Sequence, residues 1–195
     1  PHFFSDAPGS RPDSLPTPKL DVQERTLASG LRLIGHHDPT SDAAVLELRL
    51  PAGAIADGET PGLARFTAQM LPRGTARRTF AELNEELDSL GAALSVSPGR
   101  DYVDIRATCL KEDVGRLAEL LAEVVLEPTF PEEEIERLRE QSLTALRQML
   151  NDTRAQAAYT LRATLYPEGH PYHHRAIGTE ETLTGMSRDL LADFH

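Results

Sequence analysis

The chain has 195 residues, and its 20 Lys and Arg against 31 Asp and Glu give a formal net charge of −11. With 39% apolar and 26% charged residues it can bury one core of a single domain's size, which excludes a collagen-like or wholly disordered chain. The acidic surplus argues against nucleic acid or an anionic membrane as the main partner, because a polyanion needs a basic surface that releases its counterions.

Pro1, Pro8, Pro12, Pro16 and Pro18 stand among Ser, Asp and Gly, remove amide donors and offer no apolar face. The chain therefore opens on an extended proline-rich arm, assigned as residues 1–24, ahead of a folded domain over 25–195. No apolar run approaches the roughly 18 to 20 residues that span a bilayer, and Pro1-His2-Phe3-Phe4 lacks the charged and apolar regions of a signal peptide. A soluble chain with no direct membrane insertion is expected. The use of arginine over lysine, with only Lys19 and Lys111 present, suggests a GC-rich bacterial genome and so a bacterial cytoplasm or periplasm.

Val22 to Leu27 and Leu31 to His36 flank Ala28-Ser29-Gly30, where glycine can take the positive φ of a tight hairpin. Ala44 to Leu50 alternates, with Leu46, Leu48 and Leu50 on one face and Val45, Glu47 and Arg49 on the other, as in a sheet covered on one side. Thr60 is placed to cap a helix with Pro61 in its first turn, Leu63, Phe66, Met70 and Leu71 as its apolar side, and Pro72 as its end. Thr79 and Glu82 form a capping box for a helix with a Phe80, Leu83, Leu87 and Leu90 stripe and Gly91 as its stop.

A second strand pair, Ala92 to Val96 and Tyr102 to Cys109, turns through Pro98-Gly99. Asp113 opens a helix that turns Val114, Leu117, Leu120, Leu121 and Val124 inward and stops at Pro128. The next helix starts at Pro131, with Glu132, Glu133 and Glu134 near its positive end, and runs on through Ile135, Leu138, Leu146 and Met149. Thr153 to Leu165 reads as a further helix. The order predicts an α+β fold, a mostly antiparallel sheet with long helices packed on one face.

Several residues are candidates for chemistry on type alone. His170, His173 and His174 cluster in sequence, but no Cys or acid lies at a recognised ligand spacing, and no metal site is assigned to them. Arg100 and Asp101 read as a charged turn before a strand. Cys109, the one cysteine, falls on an apolar strand face and reads as a buried inert thiol that makes no intrachain disulfide. Ser29, Ser95 and Ser97 lack the context of a nucleophile elbow.

The segment Gly62-Leu63-Ala64-Arg65-Phe66-Thr67-Ala68-Gln69-Met70-Leu71-Pro72-Arg73-Gly74-Thr75 resembles the active-site helix of the insulinase and mitochondrial processing peptidase family. In that family a G-L-A-H-F-L-E-H-M-L-F-K-G-T-like stretch carries the inverted zinc motif H-x-x-E-H. The resemblance extends to Leu27-Ala28-Ser29-Gly30-Leu31-Arg32-Leu33, to Pro51-Ala52-Gly53-Ala54 followed by Asp57, to Arg100-Asp101-Tyr102, and to Gly169-His170-Pro171-Tyr172 with Ile177-Gly178-Thr179. It covers residues 25 to 195 and implies a processing-peptidase-like, metallopeptidase-like fold.

The motif positions depart from the family. Two histidines there bind zinc and a glutamate acts as base on the bound water, whereas this chain has Arg65 and Gln69 in the ligand places and Ala68 in the base place. The third ligand, a glutamate on a later helix, would fall at or near Ala145, Leu146 or Arg147, none of them acidic. Glu140 reads as a solvated helix-face charge.

The resemblance therefore implies a non-catalytic, zinc-free homologue with no cofactor. Its expected partner is an active zinc peptidase subunit in a heterodimer or a second domain of its own chain. Peptide capture in the family uses strand addition beside the active-site helix, which points to the strand Ala92, Ala93, Leu94, Ser95 and Val96 as a peptide edge. The surplus of acids would steer basic peptides toward it. An interaction or scaffold domain without peptide handling is the alternative, and an active zinc metalloendopeptidase requires rescue of the metal site. Each half of the family's assembly has two related domains. The resemblance thus implies that this chain is the first domain of a longer protein, with the last strand of its sheet lying beyond His195.

Overall fold

Alternation of apolar and polar residues builds the three-stranded sheet, and a change to helical period builds the layer that covers it. The computed structural model describes residues 20–195 and divides the chain into two units at the Ser41 to Asp42 junction. In the first unit, β1 (Val22–Thr26) and β2 (Arg32–His36) form an antiparallel hairpin in register from Val22 opposite His36 to Thr26 opposite Arg32. Gly30 turns it at φ +86°, and Glu24 and Arg32 pair across the strands at 2.6 Å. Strand β1 opens at Val22, so the last three residues assigned to the arm are strand, because Val22 to Glu24 find ladder partners in β2. The proline-rich remainder of the arm, residues 1–19, lies outside the described residues.

The second unit holds β3 (Ala43–Leu50), α1 (Leu63–Met70), α2 (Phe80–Ser89), β4 (Ala93–Pro98), β5 (Val103–Leu110), α3 (Val114–Leu126), α4 (Glu132–Asn151), α5 (Thr153–Leu165), α6 (Glu180–Thr184) and α7 (Arg188–Phe194). Its three strands lie in the order β3-β5-β4 and are antiparallel throughout. Leu46, Leu48 and Leu50, Leu94 and Val96, and Val103, Ile105, Ala107 and Cys109 share the covered face. On the other face Arg49 pairs with Asp104 at 2.6 Å, the arginine exposed and the aspartate partly so, and this surface is solvated rather than packed. The α+β architecture with helices on one face is the one the sequence predicts.

Helices α1, α2 and α3 lie against the sheet, and α4 packs on α1. Phe66, Met70, Leu83, Ile105, Leu117, Leu120, Ile135 and Leu191 are all but sealed from solvent at their meeting point. Each such side chain contributes about 1.5–3 kcal/mol by leaving water. Two short helices, α6 and α7, close the chain where periodicity alone separates none; Thr179 and Thr182 form a hydroxyl version of a capping box at α6.

Several expected boundaries move, each for a local reason. Strand β4 begins at Ala93 rather than Ala92, because the Ala92 amide donates to the Leu87 carbonyl (2.9 Å) and closes the end of α2. Asp113 makes no side-chain cap, because Lys111–Asp113 already forms a 3-10 turn that feeds α3. Phe80 stays exposed at the start of α2 with the Arg73 guanidinium over its ring, so it does not join the apolar stripe.

Thr60 does not cap α1. The helix begins after Gly62, whose φ of +94° is open to glycine at little cost. A Cβ at Gly62 would also stand 2.8 Å from the Gly178 Cα and the Ile177 carbonyl oxygen, so two backbones meet where no side chain fits. Gly91 also has positive φ, +55°, but has open space around it. Gly91→Ala is therefore expected to cost about 1–2 kcal/mol from backbone strain alone, and Gly62→Ala to cost clearly more. Urea unfolding of the two variants checks this, and equal losses would remove the steric argument.

Candidate functional site

The candidate site is a face of α1, and its position is set from the loop before it. Asp57 is buried and accepts two backbone hydrogen bonds, from the Gly62 amide to Oδ2 and from the Ala64 amide to Oδ1, each 2.8 Å. It thereby satisfies first-turn donors of α1 and sets a negative charge at the helix's positive end. Burial pushes the Asp57 carboxyl above its ordinary range, against the pull of those two amides. On the far side, the Thr182 hydroxyl donates to the Pro61 carbonyl (2.8 Å) and holds the helix start against the 177–182 segment.

The other end of α1 runs into a 3-10 turn, Leu71–Arg73, braced by two buried acids. Arg73 donates to Glu134 (3.0 Å) and to Gln141 (3.0 Å) of α4. The Thr75 hydroxyl donates to Glu123 of α3 (2.5 Å), and Arg78 pairs with the same carboxylate while its Nε reaches Glu86 of α2 (2.6 Å). Neither Asp57 nor Glu123 is singled out by sequence for this role. The signal for Glu123 is an acid inside the inward stripe from Leu120 to Val124; for Asp57 it is an acid five residues before a helix-opening glycine.

Between these anchors α1 presents the three motif positions. Arg65 and Gln69 are half-buried, one turn apart, and Ala68 is buried beside them. Burial pushes the Arg65 guanidinium below its ordinary range. Ala68 lines an apolar cavity of about 360 Å³ with Thr67, Leu71, Val103 and Phe194, into which no acid projects. The Thr67 hydroxyl is buried there without a hydrogen-bond partner. On α4, Leu146 is buried in the core while Ala145 and Arg147 face outward, and Glu140 is exposed as expected of a solvated charge.

Strand β4 lies against α1 and, among the described residues, pairs on one side only, with β5. Ala93, Leu94, Ser95 and Val96 are in this edge strand, which continues to Pro98; Ala92 lies outside it. The remaining candidates are placed elsewhere. The His170 Nδ1 accepts the Tyr172 amide (3.1 Å) and its ring stacks on Tyr166, while the His173 Nδ1 sits 2.9 Å from the Tyr166 carbonyl oxygen. Among the described residues no group of three or more His, Cys, Asp or Glu is arranged to hold a metal ion. The Tyr172 hydroxyl donates to Asp101 (2.7 Å), and Arg100 lies over the Tyr172 ring and donates to the His174 carbonyl (3.1 Å), so the charged turn is tied to the 166–175 loop. Cys109 is buried and free, and burial raises its thiol.

The profile of the insulinase family, peptidase family M16, matches residues 32–171. The chain belongs to this family. Among similar proteins, an uncharacterized zinc protease of Mycobacterium leprae is 27% identical over 175 residues, 89% of this chain and 39% of the relative. The mitochondrial-processing peptidase subunit beta of Neurospora crassa is 26% identical over 176 residues, 90% of this chain and 37% of the relative. Among solved structures, a peptidase M16 inactive domain from Pseudomonas fluorescens matches with a TM-score of 0.85 and 28% identity, over 90% of this chain and 43% of that one. A Helicobacter pylori protease at 17% identity and a TM-score of 0.80 shares the fold. The chain thus spans about two-fifths of the length of these relatives. Among the described residues no helix is long and apolar enough to cross a membrane.

Within the insulinase family frame the motif positions supply a guanidinium, a methyl and a carboxamide, and the later helix offers Ala145, a buried Leu146 and Arg147. A zinc site wants imidazole, thiolate or carboxylate donors, so these residues do not fit the ion.

The brace around Glu123 makes a pH prediction. Burial alone would raise its carboxyl, but the Thr75 hydroxyl and Arg78 guanidinium outweigh burial and hold it below the ordinary range. The folded state then binds this proton less tightly than the unfolded chain. Its stabilisation is complete above the ordinary glutamate range and is lost as pH falls through the lowered value. Glu123→Gln is expected to lose about 1–3 kcal/mol at neutral pH and to show a shallower further loss in acid. Chemical unfolding from pH 7 to pH 3 measures both; a variant as stable as wild type with the same acid slope would contradict the role given to Glu123.

Proposed function

We propose that this chain is the zinc-free half of a peptidase-like assembly. It binds an extended peptide along the edge of β4 and works beside a zinc-bearing unit of the same family, either a separate subunit in a heterodimer or a second domain of its own chain. The observation that carries the reading is the joint replacement at one helix face: neither ligand place, nor the base place, nor the later-helix place holds a group that serves zinc chemistry. In the free chain the cofactor is none. Hydrolysis then belongs to the partner unit, and the work left to this one is to hold substrate.

Family membership and the placement of α1 support that work. Strand addition uses main-chain groups of an edge strand and no catalytic side chain, so it survives the loss of zinc. Strand β4 has a free side among the described residues and the motif helix packed on it, which supports a peptide added along this edge. The relative named as a subunit, and the solved neighbour named as an inactive domain, support the pairing of unlike units. The net charge of −11 favours peptides that are basic overall.

A fluorescein-labelled extended basic peptide is expected to bind the chain saturably in an anisotropy titration, and N-methylation of alternate peptide amides is expected to weaken it by about tenfold or more, about 1.4 kcal/mol. Equal binding of the methylated peptide would remove strand addition, and no binding of either would leave the scaffold alternative. The zinc-free reading has its own test. Introducing Arg65→His, Ala68→Glu and Gln69→His together is expected to leave the protein without stoichiometric zinc after dialysis, because none of Ala145, Leu146 and Arg147 supplies the third ligand. One equivalent of metal retained by that variant, measured by atomic emission, would contradict it.

A further inference from the structure

Arg65 and Gln69 lie four residues apart on α1, so their side chains leave the helix on one face as neighbours. Both are half-buried, and neither has a hydrogen bond, ion pair or ring contact among the described residues. The two arginines on the turn and loop that continue α1 are matched, Arg73 by Glu134 and Arg78 by Glu123 and Glu86, whereas Arg100 and Arg162 elsewhere each keep a buried nitrogen without a hydrogen-bond partner among the described residues. A guanidinium that has shed part of its water without gaining an acceptor carries an unreturned desolvation cost. Burial accordingly depresses Arg65, and among the described residues no carboxylate pairs with it.

We infer that Arg65 and Gln69 form a receptor for one carboxylate of a peptide lying along β4; the inference rests on the peptide-binding reading above. The guanidinium presents two parallel N–H donors in the fork that matches both oxygens of a carboxylate, and the Gln69 carboxamide adds a third donor from the next turn. Arg65 is the single cation on α1, and one guanidinium matches a monoanion rather than a phosphate dianion. The helix that carries the pair, α1, packs on β4, the strand along which the peptide backbone would run. The acidic field of the chain favours a peptide that is basic overall, and Arg65 reads a single acid within it. That acid is either an Asp or Glu side chain or the C-terminal carboxylate.

Four versions of the labelled basic peptide separate the sources: one with a single Glu and a free C-terminus, the same with Glu→Gln, the same with a C-terminal amide, and the same with both changes. Neutralising one of the two groups is expected to weaken binding to the wild-type chain by about tenfold and to leave binding to Arg65→Gln unchanged; which group does so names the source. Equal losses in wild type and variant, or no loss on neutralising both, would overturn the receptor while leaving strand addition standing. Loss of discrimination on N-methylation alone would do the reverse. Should no peptide bind, or should the variant fail to fold, N-acetylglycine is titrated into the unmutated protein and followed on the Arg65 side-chain Nε–H resonance. A saturable shift of that signal upholds the receptor, and an unmoved signal overturns it.

Discussion

The Asp57 carboxylate bridging the amides of Gly62 and Ala64 fixes where α1 begins, and the rest of the second unit is arranged around that helix. A carboxylate buried for this purpose costs desolvation, seen in its raised titration, and two short backbone hydrogen bonds with a helix dipole offset it. The glycine pair then decides how closely the 177–178 segment approaches: Gly62 and Gly178 touch backbone to backbone because neither has a Cβ. A helix pinned at its first turn by charge and by contact can present a fixed face without help from any ligand.

The far end of the helix is held by a different device. Glu123 and Glu134 are acids inside the protein, each facing an arginine from the turn and loop that follow α1. Pairs of this kind give less stability than apolar packing of the same volume would, but removing one partner leaves an uncompensated charge in a poor solvent. They therefore constrain geometry: the Arg73 and Arg78 segment can sit in one register only, against α4 and α3. Arg65 has no such partner among the described residues, so within one helix and its continuation the matched guanidiniums fix the fold and the unmatched one does not.

Much of this was legible in the sequence, for identifiable reasons. Alternation in Ala43 to Leu50 and Val103 to Leu110 fixes which face of the sheet is covered, and the Thr79 and Glu82 capping box places the start of α2 correctly. The motif positions Arg65, Ala68 and Gln69 are found on one helix because the flanking residues align with the family around them. What sequence could not show is long-range. Thr60 is a good local capping residue, yet Asp57 and the 177–178 segment, which are distant in the chain or out of pattern, decide where the helix starts. Helix α5 likewise follows from local preference, but that it buries none of its residues depends on what lies beside it. Ala92 is apolar and next to a strand, but its amide is taken by the turn of α2, a choice that periodicity does not encode.

The substitutions at the motif are mutually consistent in physical terms. Neutral imidazoles could sit at positions 65 and 69 without zinc at modest cost, but an acid at the Leu146 position could not. In the apolar core an ionised carboxylate without a metal or arginine would cost several kcal/mol. Once the ligands on α1 are lost, an apolar residue at 146 stabilises the fold, and an alanine at 68 removes a second acid from the wall of an apolar cavity. The same argument does not explain Arg65. A solvated or apolar residue there would satisfy the fold, whereas a half-buried guanidinium without an acceptor weakens it slightly. On the proposal above, a residue that costs the folded state something is accounted for by the carboxylate it binds, on a helix that packs on β4.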